Sequence, residues 1–203
     1  CLLAGQGKKV TILEEHSQVG SPVQCTGIVT HSIEKFFRLK KDVIAKRLDK
    51  VVVVSKNNRI TVNVDEIVMW RDRFDRLVAE MAEDAGAKIL LNHQFTGFDG
   101  RNAIIAKDKN SNSKNYIGMQ AKVKLKADTT AFETHFGSNF PNFFGWVVPE
   151  SEEIVRLGIG CFENTQEHFY RFLKSMTGKK DIVCWESCLI PLYNPKKTIQ
   201  KGN

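Results

Sequence analysis

A single thiol stands in the stretch "GSPVQCTGIVT", residues 20–30, where a glycine, a proline and small residues follow an apolar run. Cysteine in such a turn has two readings. It is a proton donor or relay poised by its surroundings, or a small apolar residue that happens to be buried. In the first reading Gln24 and Thr26, which flank Cys25, offer backbone groups to whatever the thiol faces. Upstream, "KKVTILEE" closes on two carboxylates. An acid ending the second strand of a dinucleotide-binding βαβ unit accepts hydrogen bonds from ribose hydroxyls. Glu14 is placed for that role, with Glu15 pointing away, although many ordinary strands also end in an acid. Arg71 either steadies a cofactor region or pairs with Asp72 or Asp75. In "PNFFGWVVP" the aromatic residues are either core or the wall of a long apolar pocket. Strand alternation puts Phe144, Trp146 and Val148 on one face and Phe143 with Val147 on the other. Pro149 closes that stretch.

The elements that must position these groups follow from periodicity. Residues 1–7 read as a helix end and 8–15 as a buried, continuous strand. "SIEKFFRL" and "DVIAKRL", within 32–48, have helical spacing. "KVVVVSKNNRITVNV", 50–64, is a hairpin turning at "KNN". In 72–91 the spacing of Phe74, Leu77, Val78, Met81 and Ala85 predicts one helix face, with Gly86 as the cap and a strand beyond. "RNAIIAKD" is a further strand and "KNSNSKN" a loop. Four β segments follow, then a helix over 165–176 and a final apolar stretch, "IVCWESCLIPLY". This order suggests an α/β (α+β overall) architecture, with a nucleotide-binding domain interleaved with a β-rich one. The expected divisions are 1–49 and 66–113 for the first, 50–65 and 114–195 for the second, and 196–203 as a return to the first.

Composition narrows the function classes. With 203 residues, 42% of them hydrophobic, the chain has material for a globular core. No run of 18 apolar residues occurs, so no transmembrane helix is expected. The five scattered cysteines fit a reduced, cytoplasmic setting better than a disulfide framework. Cys184 and Cys188 lack a zinc-knuckle spacing, and no metal site is expected. The five histidines occupy unrelated contexts and read as surface or structural. The net charge is +7, and residues 35–50 hold seven Lys/Arg against two Asp. That stretch is a solvated face or an attraction to anionic lipid headgroups. No nucleic-acid motif accompanies it.

Three stretches together resemble the geranylgeranyl reductases, flavoenzymes of the p-hydroxybenzoate hydroxylase fold that saturate isoprenoid double bonds, notably in archaeal membrane lipids. "LLAGQGKKVTILEEHSQVGSPVQCTGIV" looks like the start of their FAD-binding region. "WRDRFDRLVAEMAEDAGAKI" matches an R-x-x-F-D helix at Arg71, Phe74 and Asp75. "PNFFGWVVPESEEIVRLGIG" matches P-x-x-Y-x-W-x-F-P followed by G-x-G, with Phe144 in place of Tyr and Val148 in place of Phe. The resemblance implies a Rossmann-like FAD domain and an antiparallel β-rich substrate domain. It implies FAD as cofactor, with Glu14, Gln24, Thr26 and Arg71 near it and Cys25 approaching the redox face of the ring. Phe144, Trp146, Val148 and Pro149 are then substrate-binding, and the substrate is a prenylated lipid. The electron donor is ferredoxin or NAD(P)H, and the protein is cytoplasmic, docking peripherally on the membrane.

The family's glycine-rich turn, G-A-D-G stretch and G-D segment are not found in the sequence. "FDG" at 98–100 lies too early to be the second. Both ends read as cut, so the chain is expected to be a piece of a longer protein. Two rivals remain open. One is a flavin-dependent monooxygenase or halogenase of the same fold, which needs a polar site for an aromatic substrate. The other is a non-catalytic prenyl-lipid-binding protein of the membrane surface.

Overall fold

The computed structural model describes residues 1–36, 38–97, 115–178 and 182–192. Helix α1 (Leu2–Gly5) leads to strand β1 (Thr11–Leu13). Helix α2 (Arg71–Asp84) runs into β5 (Lys88–Leu90) through Gly86, whose φ of +94° is open to glycine at little cost. β1 and β5 form a two-stranded parallel sheet. Ala4, Ala82 and Ala87 make its small core, with Val10 and Ala85 packed alongside. Two expectations change here. β1 is exposed along its length, because among the described residues β5 alone pairs with it and no described element covers its outer face. The buried side of α2 centres on Ala82, while Met81 is exposed.

The second sheet holds eight strands in the order β10-β6-β9-β8-β7-β3-β4-β2. β2 is Ile28–Thr30, β3 Ile44–Ser55, β4 Asn58–Met69 and β6 Asn115–Lys124. β7 is Ala131–Phe136, β8 Gly145–Pro149, β9 Ile154–Cys161 and β10 Ile182–Pro191. All pairings are antiparallel except β3 with β7. The expected hairpin is present but longer, since β3 starts at Ile44 and β4 runs to Met69. In "DVIAKRL" a 3-10 turn over Lys41–Val43 leads into strand from Ile44, and no α-helix forms. Register shifts between Ile44 and Lys46 and between Leu48 and Lys50 break the alternation there. Bulges of this kind give a strand a pseudo-helical apolar spacing. "SIEKFFRL" yields only a short 3-10 segment, His31–Lys35. "RNAIIAKD", "FDG", most of the "KNSNSKN" loop and 196–203 lie outside the described residues.

Helix α3 (Thr165–Thr177) covers one face of the sheet. Its Phe169, Phe172 and Leu173 pack with Val123, Val147, Val155, Leu157 and Ile159 into the main core. Burying these side chains gives each about 1.5–3 kcal/mol relative to exposure. The opposite face carries a second cluster of Leu48, Val68, Trp146 and Val148, joined by Phe143 and Phe144. β8 thus divides as its alternation predicts, Val147 toward α3 and Trp146 with Val148 away from it.

Candidate functional site

The site begins with a rung of backbone partners across the sheet. Thr134 of β7 pairs with Trp146 of β8, Trp146 with Gly158 of β9, Gly158 with Gln120 of β6, and Gln120 with Glu186 of β10. Residues on one rung share a face. A Cβ on Gly158 would lie 2.5 Å from the indole carbons of Trp146. The missing side chain is what lets the ring lie across β9, and its Nε1 donates to Gln120 Oε1 at 3.0 Å. One step along, Gly160 gives the same room to Phe143, 2.5 Å from its own virtual Cβ. The G-x-G of β9 and the aromatic residues beside it are one packing device.

Above these rings lies a cavity of about 360 Å³, lined by Phe143, Phe144, Trp146 and Val148 on the sheet side and by Gln24, Cys25 and Thr26 on the other. The thiol turn is fixed in three ways. Arg156 Nη1 donates to the Cys25 carbonyl. Gly27 has φ +83° and packs its α-carbon against the Met69 carbonyl, where a Cβ would collide. Met69 N donates back to Gly27 O at 2.9 Å. The Cys25 sulfur accepts from Gly27 N at 3.4 Å and also interacts with the Arg71 guanidinium. Arg71 forks onto Asp75 at 3.0–3.2 Å. Burial works against its charge, but Asp75 and Cys25 more than offset this and hold its pKa above the ordinary value.

The structure brings Cys25, Gln24, Thr26, Phe144, Trp146 and Val148 together on one cavity and sets Arg71 against the thiol. Phe143, expected on the opposite face, joins them. Its backbone N bonds Phe140 O in a turn, while the ladder to β9 reaches back only to Phe144, and its ring stacks on Phe144 with centroids 4.4 Å apart. Pro149 is fully buried and not part of the lining. Glu14 is not part of it either, and its carboxylate accepts from His16 N at 2.9 Å and contacts His16 Nδ1 at 2.6 Å.

A buried polar chain escaped the sequence reading. Gln120 Nε2 donates to Glu186 Oε2 at 2.5 Å, and Glu186 Oε1 lies 3.4 Å from Arg156 Nη2. Arg156 Nε donates to Glu150 Oε1 at 2.5 Å, while Lys122 Nζ lies 3.1 Å from Glu150 Oε2. Burial raises the pKa of Glu186, with Arg156 and Gln120 opposing the shift. The signal was Arg156 itself, a charge inside the apolar run of β9. Such a residue is buried only with partners.

No protein-family model matches the chain. It is 26% identical to digeranylgeranylglycerophospholipid reductase 2 of Methanosphaera stadtmanae over 86% of this chain and 57% of that protein. It is 25% identical to digeranylgeranylglycerophospholipid reductase of Thermoplasma acidophilum over 66% and 36%. Its fold matches a geranylgeranyl bacteriochlorophyll reductase-like protein of Thermoplasma acidophilum with a TM-score of 0.78 at 18% identity, covering 93% of this chain and 61% of that one. In sequence and in fold the chain is similar to geranylgeranyl reductase-like proteins. The reductase-like fold extends to the halogenase PltM, solved in complex with phloroglucinol and FAD, at a TM-score of 0.61 and 12% identity over 92% of this chain and 56% of that one. This reductase-like chain spans about half the length of the curated relatives it matches.

Proposed function

We propose that this chain builds the reaction cavity of an FAD-dependent reductase that saturates geranylgeranyl-type double bonds in a membrane-lipid precursor. The observation that carries the reading is the shared cavity of Cys25 and Trp146, a thiol turn facing a ring-lined wall. The residues fit the ring end of the cofactor. A flat tricycle needs apolar faces and polar edges, which the aromatic side chains and the Gln24–Thr26 backbone offer. When bound, the flavin supplies a hydride equivalent, and the rest falls to the protein.

An isolated alkene is not polarised, so a proton must reach the second carbon. Cys25 is placed to give up that proton from its sulfur, and Gly27 N and the Arg71 guanidinium are placed to hold the thiolate that is left. Phe143, Phe144, Trp146 and Val148 exclude water and hold the chain by its apolar surface. Arg156 keeps the turn at a fixed height over the sheet through the Cys25 carbonyl. The reading places the protein in the cytoplasm, at the membrane surface, with ferredoxin or NAD(P)H as electron source.

The halogenase neighbours support a second reading, a flavin-dependent monooxygenase or halogenase. The apolar wall argues for a prenyl chain over a polar aromatic substrate. The test is turnover of a geranylgeranylated glycerophospholipid by the purified protein under chemical reduction, read by mass spectrometry. Cys25→Ser is expected to lower turnover about a hundredfold or more while the flavin spectrum stays. Unchanged turnover removes the thiol from the chemistry. Oxygen-dependent attack on an aromatic substrate, with no alkene reduction, selects the second reading. A colourless protein that still binds the lipid marks a non-catalytic carrier.

A further inference from the structure

A thiol that protonates a carbon inside an apolar cavity is spent after one event. The groups that hold the resulting thiolate, Arg71 and Gly27 N, cannot renew it. A guanidinium does not release its proton in a protein, and a peptide N–H is a weaker acid than a thiol. Among the described residues lining this cavity, Glu186 is the one carboxyl group. Cys188 also lines it, but a second thiol is no stronger an acid than the first, whereas a carboxyl group is.

One guanidinium ties Glu186 to the thiol turn. Arg156 Nη1 donates to the Cys25 carbonyl while Nη2 lies 3.4 Å from Glu186 Oε1. Glu186 Oε2 accepts from Gln120 Nε2 at 2.5 Å, and Gln120 is itself held by Trp146 Nε1 at 3.0 Å. Oε2 is therefore taken. Oε1 meets Arg156 beyond ordinary hydrogen-bond distance, so it is the oxygen left to carry a proton. Around the carboxyl group stand Gln120 and Lys122 of β6, Arg156 of β9 and Glu150 just past β8. Its own strand adds Cys184 and Cys188, and the turn adds Cys25. Arg156 and Lys122 favour the anion and Glu150 opposes it, but burial outweighs the cations and keeps Glu186 protonated to higher pH than an ordinary carboxyl group. Glu186 also lines a second cavity, of about 630 Å³, whose walls include Asp72, Arg73 and Lys122. Charged walls of that kind hold water.

We propose that Glu186 returns a proton to Cys25 after each reduction, passing inward one taken from water in the second cavity. The proposal rests on the alkene-reductase reading of the Cys25 cavity. In the step Cys25 performs, its S–H bond breaks and a C–H bond forms at the carbon that does not take the hydride. The O–H bond at Glu186 Oε1 then breaks and the S–H bond re-forms. The carboxylate, held in the interval by Arg156, recovers its proton from water. Each cycle moves one proton from solvent to the alkene and leaves both side chains as they began. Glu186 acts through the thiol and does not touch the substrate.

Two measurements on the flavin-loaded protein test this, each made with the parent, Glu186→Gln and Glu186→Asp, and with a melting curve to confirm the fold. The first is the rate of Cys25 alkylation by iodoacetamide over a pH series, read on the Cys25 peptide by mass spectrometry. A carboxylate beside the thiol delays its ionisation, so the midpoint is expected to move to lower pH in the Gln variant and to stay near the parent's in the Asp variant. A midpoint that Glu186→Gln leaves in place separates the two groups and overturns the relay. The second is rapid-quench reduction of a geranylgeranylated glycerophospholipid by the chemically reduced protein. Cys25 starts protonated, so the Gln variant is expected to reduce its first double bond at the parent's rate. Its later turnovers should then slow about a hundredfold, while the Asp variant keeps most of the parent's rate. Unchanged later turnovers overturn the relay and leave the reductase reading standing. A slowed first reduction, or equal losses in the Gln and Asp variants, marks a structural role and overturns it too. Absence of alkene reduction in the parent removes the reductase reading first, and this proposal with it.

Discussion

Glu186 borders the cavity of Cys25 and Trp146, with a side chain 11% exposed and both oxygens in contact with polar groups. Its carboxylate lies near Arg156, yet burial dominates and its pKa rises from the ordinary 4.5. A folded-state value above the unfolded one means that the native protein holds the proton longer. Stability from this group is full below about pH 4.5 and is lost as pH rises through the raised value. Glu186→Gln keeps the Gln120 contact and the shape but cannot ionise. The variant is therefore expected to gain on the parent as pH rises across that window. Thermal melts of both proteins at a series of pH values read the difference. Parallel curves would mean that Glu186 ionises in the fold as freely as in the unfolded chain.

At the scale of elements, β8 and β9 position the site, and the glycines of β9 decide whether the rings of Phe143 and Trp146 can lie flat. A methyl at position 160 would sit 2.5 Å from the Phe143 ring. Overpacking of this kind costs about 1–3 kcal/mol. Gly160→Ala is expected to lower the melting temperature and to weaken prenyl-ligand binding by displacing Phe143. Adding Phe143→Leu should restore part of the stability, and a double-mutant cycle reads the coupling. Strictly additive effects would separate the two residues. This pairing was half legible in the sequence. The motif residues Phe144, Trp146 and Val148 could be put on one face by strand alternation, and the 165–176 helix and the four strands around it announced themselves by their periods. The 42–48 segment could not, because two bulges disguise the strand. Nor could the Trp146–Gln120–Glu186–Arg156 chain be read, since it joins four strands that only the register brings level. A single sequence shows which residues alternate, not which rung each one reaches.

At the scale of the molecule, the proposed reaction on a membrane-lipid precursor would have to be reached from a bilayer surface, and the +7 chain concentrates its charge in 35–50. No described helix is long and apolar enough to cross a membrane. Phe36 is 80% exposed, with Lys35, Arg38, Lys40 and Lys41 exposed around it. A ring among cations is the composition that settles at a headgroup layer. The same stretch packs against the start of α2, since Arg73 bonds the Asp42 carbonyl and Trp70 N donates to Val43 O at 2.9 Å. The protein is accordingly expected to co-sediment with vesicles of phosphatidylglycerol and not with phosphatidylcholine alone. Each basic residue near an anionic surface is worth roughly 1 kcal/mol, so Lys40→Glu with Lys41→Glu should weaken binding at least tenfold, and added salt should do likewise. Phe36→Ser should weaken it in a salt-independent way. Binding that ignores lipid charge, or that survives the double reversal, would place the docking face elsewhere on the molecule and leave 35–50 as a solvated surface.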